Sequence, residues 1–121
     1  MKIIISAQGN DIDSLTDPRF GRCRYLIAVE TTSGEWHAHD NQDNAAASGG
    51  AGVEASNRVV SLGAAAVITG NLGPNAARVL DAAHIAVYRA ENGATVREAV
   101  AAFAADGLER IDAPTVQGHW M

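Results

Sequence analysis

Val67-Ile68-Thr69-Gly70-Asn71-Leu72-Gly73-Pro74-Asn75-Ala76 is the stretch from which the architecture follows. Ala65 to Thr69 is a short unbroken apolar run, the pattern of a strand buried on both faces. Gly70 and Gly73 bracket a turn. Pro74 suits the first turn of a helix, where its missing N–H would have no partner in any case. That helix is expected to run to about Ala83. A buried strand, a glycine turn and a helix in direct succession predict an α/β domain with a largely parallel sheet.

Working outward, the same grammar recurs. Gly52 to Leu62 places Val53, Val59, Val60 and Leu62 at helical spacings, and Gly63 stops that helix. Ile3 to Ala7 is a buried strand that ends at Gly9. Tyr25 to Glu30 and Trp36 to Asp40 flank the turn signal Thr32-Ser33-Gly34, so they form a hairpin. Asn41 to Gly50 reads as a loop. Ile85 to Tyr88 is the last clear strand. Thr95 is placed to cap a helix from Val96 to about Ala105, with Glu98 completing a capping box. The order is β, β-hairpin, α, β, α, β, α, with right-handed crossovers and one strand antiparallel. Residues 1–107 form a single α/β domain in this reading. Residues 108–121 have no firm period and are expected to be loosely held.

In such sheets ligands sit beyond the carboxyl ends of the strands. Three loops should meet there: Gly9–Arg24, Asn41–Gly52 and Gly70–Asn75. Two of them lead into helix N-termini, which present backbone N–H groups and a positive dipole end. The first contains Arg19-Phe20-Gly21-Arg22-Cys23-Arg24, three arginines and the only cysteine within six residues. Arginine is always charged, and its planar donors suit oxyanions, phosphates and sulfido clusters. Gly21 permits close backbone approach, and Phe20 adds an apolar contact. The knot reads as the lip of an anion site, although arginines beside a strand also serve as a solvated rim. Cys23 is the sole thiolate candidate for a metal, against its alternative as a small core residue.

Composition sets the bounds. The 121 residues include 24 alanines and 12 glycines but only 6 aromatics, which favours close packing of helix on sheet. A single cysteine forms no intramolecular disulfide, fits a reducing cytoplasm and excludes a four-cysteine metal site within one chain. The opening residues read directly as strand, so no signal peptide is expected, and no apolar run approaches the roughly 20 residues that span a bilayer. A net charge of −5 and a pI near 5.2 argue against a general nucleic-acid binder.

The chain resembles the dinitrogenase iron–molybdenum cofactor biosynthesis family of small cluster-binding proteins. The likeness is carried by the opening strand, Phe20-Gly21-Arg22, Ser48-Gly49-Gly50, the Val67–Ala76 stretch, Ile85-Ala86-Val87-Tyr88 and Thr95-Val96-Arg97-Glu98-Ala99. It implies a three-layer sandwich of ribonuclease H-like topology around a mixed five-stranded sheet. It also implies non-enzymatic holding or carriage of a metal–sulfur cluster, and a protein partner to receive it. The Arg-Phe-Gly-Arg-Cys form resembles members that bind a molybdenum–copper sulfide cluster without covalent attachment; an iron–molybdenum cluster is the second choice. Many members have histidine where this chain has Arg19. That shifts the expected mechanism from ligation to charge neutralisation by Arg19, Arg22 and Arg24. Phe20, Leu72 and backbone amides would support it. Gly21, Gly49, Gly50, Gly70 and Gly73 would allow close approach, and Asn41, Asn71 and Asn75 would hydrogen-bond or orient the loops.

Other classes are weaker. A two-metal nuclease needs carboxylates on the sheet, yet the first strand carries none, and Asp11, Asp13 and Asp17 read as solvated turn formers. Gly70–Pro74 follows a strand and opens a helix as phosphate loops do, which keeps a nucleotide- or phosphate-binding module as the alternative. It lacks the full glycine fingerprint and the lysine followed by Ser or Thr. His37 and His39 share one face of a strand and so could bind copper, nickel or zinc; an exposed edge-strand face is the plainer reading. His84 reads as a helix-end residue, and His119 beside Trp120 lies in the tail. No nucleophile elbow or Cys/His pair supports catalysis.

Overall fold

The computed structural model describes residues 1–116. Its elements are β1 (Lys2–Ala7), β2 (Tyr25–Glu30), β3 (Trp36–Asp40), α1 (Gln42–Ala45), α2 (Ala51–Ser61), β4 (Ala66–Thr69), α3 (Pro74–Ala82), β5 (Ala86–Arg89) and α4 (Val96–Ala104). The five strands form one mixed sheet in the order β3-β2-β1-β4-β5. β1 pairs parallel with β4, and β4 parallel with β5, while β2 runs antiparallel to both β1 and β3. This is the expected mixed five-stranded sheet with one reversed strand, and it is compatible with a ribonuclease H-like topology.

The pleat explains the three layers. Alternate residues point to opposite faces. Ile4, Leu26, Ala28, Val67 and Val87 meet Ala55 and Val59 of α2 and Ala76 and Leu80 of α3. Ile3, Ile5, Ile27, Val29 and Ile68 meet Val96 and Ala99 of α4 on the other side. α2 and α3 both carry the chain toward the β5 edge, so a single crossover hand puts them on one face. The ends of both parallel crossovers therefore bring the α2 and α3 N-termini to the carboxyl end of the sheet.

Two segments differ from the sequence reading. Asn41–Gly50 is not wholly a loop, because α1 forms within it. Asp40 Oδ1 accepts from the Gln42 N–H at 2.8 Å and starts that single turn. Residues 108–116, expected to hang loosely, bond to the sheet. The Arg89 N–H donates to Glu109 O, and the Ile111 N–H donates to Val87 O, both at 2.8 Å. Ile111 is buried in the α2/α3 core. The remaining tail, with His119 and Trp120, lies outside the described residues. Among the described residues no helix is long and apolar enough to cross a membrane.

Thr95 caps α4 as its sequence predicts. Its Oγ1 accepts from the Glu98 N–H at 3.1 Å, and Glu98 Oε1 accepts from the Thr95 N–H at 2.9 Å. Replacing Thr95 with alanine should lower stability by about 1 kcal/mol. The check is a urea titration, in which the midpoint falls while the slope is unchanged.

Candidate cluster-binding rim

The loop after β1 is laid across the strand ends by two glycine contacts. A Cβ on Gly70 would lie 2.6 Å from Pro18 Cα, and one on Gly21 would lie 2.6 Å from the backbone nitrogen of Gly52. Neither site has room for a side chain. The Asn71 N–H donates to Pro18 O at 2.7 Å, and Arg19 and Asn71 form an isolated parallel bridge. Below them Ser6 Oγ, fully buried, donates to Asp17 O and lies 2.7 Å from Thr69 Oγ1. The three loops expected to converge are thus joined: the first touches Gly52 on one side and Gly70 on the other.

Asn41 and Asn44 organise the α1 side. The buried Asn41 Nδ2 reaches Cys23 O at 2.8 Å and Gly21 O at 3.0 Å. Asn44 Nδ2 reaches the same Gly21 carbonyl at 3.1 Å and Ala51 O at 2.9 Å. Asn41 therefore orients the loop from beneath and does not face solvent. Asn44 carried no signal in the sequence, because its role depends on the unexpected turn of α1.

The arginine knot divides. Arg19 turns toward Asp17, whose buried carboxylate accepts from the Arg19 N–H at 2.9 Å and from Nε at 3.4 Å. Asp17 is 2% exposed, so it is not the solvated turn former expected of it. Arg22 turns the other way and donates from one guanidinium nitrogen to Ala45 O and Ala47 O, both at 2.9 Å. Arg24 is exposed and donates to Gln42 Oε1 at 3.1 Å. Among the described residues Arg22 and Arg24 have no acidic partner, whereas Arg19 has Asp17.

Phe20 and Cys23 are fully buried in the α2/α3 core. Burial, with the nearby Asp17 carboxylate, pushes the Cys23 thiol up to about 12. A protonated, enclosed sulfur is a packing residue in this arrangement and makes a poor metal ligand. Leu72 is also buried, while Asn75 is exposed on the first turn of α3, and Gly49 and Gly50 are exposed before α2. Gly50 has φ of +76°, a left-handed conformation that favours glycine.

The Gly70 loop is heavily committed. Its Asn71 N–H serves Pro18, its Leu72 N–H donates to Thr115 Oγ1 at 2.8 Å, and Pro74 has no N–H. That leaves few amides to wrap a phosphate. On its outer side lies a cleft of about 520 Å³, lined by Thr16, Pro18, Gly70, Asn71, Arg89, Ala90, Glu91 and Asn92. Sequence reading missed Arg89, which donates to Gly70 O at 2.8 Å. Its place at the carboxyl end of β5 was the available signal. Among the described residues no three His, Cys, Asp or Glu side chains are grouped to hold a metal ion.

The architecture is that of a small α/β sandwich with a glycine- and arginine-bearing rim. The model of the dinitrogenase iron-molybdenum cofactor family matches residues 1–106, and the chain belongs to that family. The structure is similar to the apo form of the orange protein from Desulfovibrio gigas. The TM-score is 0.91 and the identity 34%, covering 95% of this chain and 96% of the other. It is also similar to a putative NifB protein from Thermotoga, with TM-score 0.83 and 37% identity over 97% and 98% of the two chains. An uncharacterized protein of Methanocaldococcus jannaschii is 31% identical over 114 residues, which is 93% of this chain and 92% of that one.

The burial of Cys23 has a direct chemical readout. At pH 8 a thiol with a pKa near 12 has about a thousandth of the thiolate of one near 9. Iodoacetamide should therefore alkylate Cys23 in the native protein at least about a thousandfold more slowly than in urea. Because the native pKa is the higher one, unfolding releases this proton once the pH passes about 9, the ordinary thiol value. The Cys23 contribution to stability is full below that pH and declines above it.

Proposed function

We propose that this protein binds and carries an anionic metal–sulfur cluster, without turning it over, at the carboxyl end of its sheet. One observation carries the reading. Two glycine contacts join the three loops, and Arg22 and Arg24 stand among them with no acidic partner among the described residues. A sulfide-rich anion placed there meets guanidinium charge and the positive ends of α2 and α3. Arg22 has a double role, since its bonds to Ala45 O and Ala47 O hold the 41–52 loop while its charge stays at the rim. Arg19 contributes less net charge because Asp17 balances it. Glycines 49 and 50 leave backbone open to the cargo, and exposed Asn75 offers an amide. Asn41, Leu72 and Phe20 support the rim from below, and Asn71 ties Arg19 to it.

The cargo favoured by the Arg19-Phe20-Gly21-Arg22-Cys23 form is a molybdenum–copper sulfide cluster, with an iron–molybdenum cluster as second choice. The protein works in the cytoplasm as a carrier, and a protein partner receives the cluster. Capture by charge and hydrogen bonds, without thiolate bonds, suits a cargo that must be released.

The test is anaerobic. Cluster-free protein is mixed with tetrathiomolybdate and copper, desalted, and assayed by visible spectrum and metal content. Retained colour with stoichiometric molybdenum and copper is expected. Arg24→Ala should weaken retention by about tenfold, the scale of one charge-assisted bond of about 1.4 kcal/mol. Arg19→Ala should weaken it less. A colourless, metal-free wild-type protein, or an Arg24→Ala variant that retains the cluster unchanged, overturns the proposal.

A further inference from the structure

β3 is an edge strand, and its backbone pattern shows which groups it leaves open. The Asn41 N–H donates to Arg24 O, and the Glu30 N–H donates to Glu35 O. These bonds fix the alternation of the ladder. The pairs Leu26–His39 and Ala28–His37 exchange hydrogen bonds, so the His37 and His39 amides turn inward to β2. The amides of Trp36, Ala38 and Asp40 turn outward to the open edge. The Asp40 carbonyl already accepts from Arg58 at 2.7 Å, and a carbonyl accepts two bonds.

Edge strands are usually guarded by lysine, proline or a bulge. β3 has none of these over Trp36–Asp40, and Trp36 is 36% exposed. The side chains of His37 and His39 stand on the α2 face, His37 exposed and His39 half-buried. Arg58 and Lys2 are the cations facing His39.

The sequence Trp36-His37-Ala38-His39-Asp40 is self-complementary about Ala38. When two copies pair antiparallel through the outward groups, the register that engages all five residues sets Ala38 against Ala38. His37 then stands opposite His39 of the second copy, and the reverse holds across the axis. Those are pairs without mutual backbone bonds, where strands lie closest, with Cα atoms about 4.5 Å apart. Trp36 falls opposite the other Asp40, and the small alanines at the centre leave room for both indoles. Four imidazoles then crowd one face of the seam. One chain alone supplies only two, and among its described residues no third ligand joins them.

We propose that two copies of this chain join through β3 around a first-row metal ion held by His37 and His39 of each. Four neutral imidazoles suit tetrahedral zinc, with Zn–N distances of about 2.0–2.1 Å. This site is separate from the arginine rim and does not depend on the cluster.

The test uses the full chain without cluster, titrated with zinc chloride and followed by sedimentation velocity and metal analysis after gel filtration. Dimer should form with one zinc per two chains, and EDTA should return monomer. His37→Gln and His39→Gln should each weaken zinc-dependent dimerisation at least tenfold. His37 is exposed, so that variant tests the site without disturbing the core, and its circular dichroism should match the parent. The proposal is overturned by absent zinc binding, by one zinc per chain on a monomer, or by a zinc-linked dimer that both variants leave intact.

Discussion

The close contact of Pro18 with Gly70 is the constraint on which the rest of the functional end depends. The chain leaving β1 must cross over the end of β4 before it can turn back as β2. It does so with no side chain between the two backbones. Asn71 then bonds Pro18 directly, Arg19 is drawn beside Asn71, and the loop is fixed tightly enough for Gly21 to rest on the start of α2. Interiors tolerate little added volume. A methyl at either glycine would part the loops and separate the charges they hold.

Charge at this end is local, because the chain as a whole is acidic. The buried Asp17 matters as much as the arginines. It anchors Arg19 and, through its proximity, helps keep Cys23 protonated. One carboxylate thus offsets a cation at the rim and adds to the burial that keeps the Cys23 thiol protonated. Of the three arginines, the exposed one with no carboxylate beside it among the described residues is Arg24, with Arg22 half-buried behind it, on the α1 side of the loop.

Most of the scaffold was legible because it rests on local patterns. Buried strands show as short apolar runs, Gly63 and Pro74 mark helix boundaries, and Thr95 with Glu98 declares the start of α4. The site was legible in outline only. That three loops meet follows from strand direction, but which way Arg22 and Arg24 point depends on partners distant in sequence, Ala45, Ala47 and Gln42, and Arg19 turns to its near neighbour Asp17 only because that carboxylate is buried, a tertiary property. α1 escaped notice because one turn of four residues has no period to detect. Cys23 was ambiguous because burial is a tertiary property. The segment after Leu108 lacks periodicity for another reason: its order comes from backbone bonds to β5 and from Ile111 alone entering the core.

That segment has a further consequence for the molecule among its neighbours. By bonding to Val87 and Arg89, residues 109–111 occupy the outer side of β5. Among the described residues the sheet is therefore closed on one flank and open on the other. Growth by edge-to-edge addition needs two open flanks on every unit. A molecule with one can join a single like neighbour and then has no flank left to offer. The C-terminal strap acts as a chain terminator, limiting lateral assembly to a pair and denying this sheet a route to fibres.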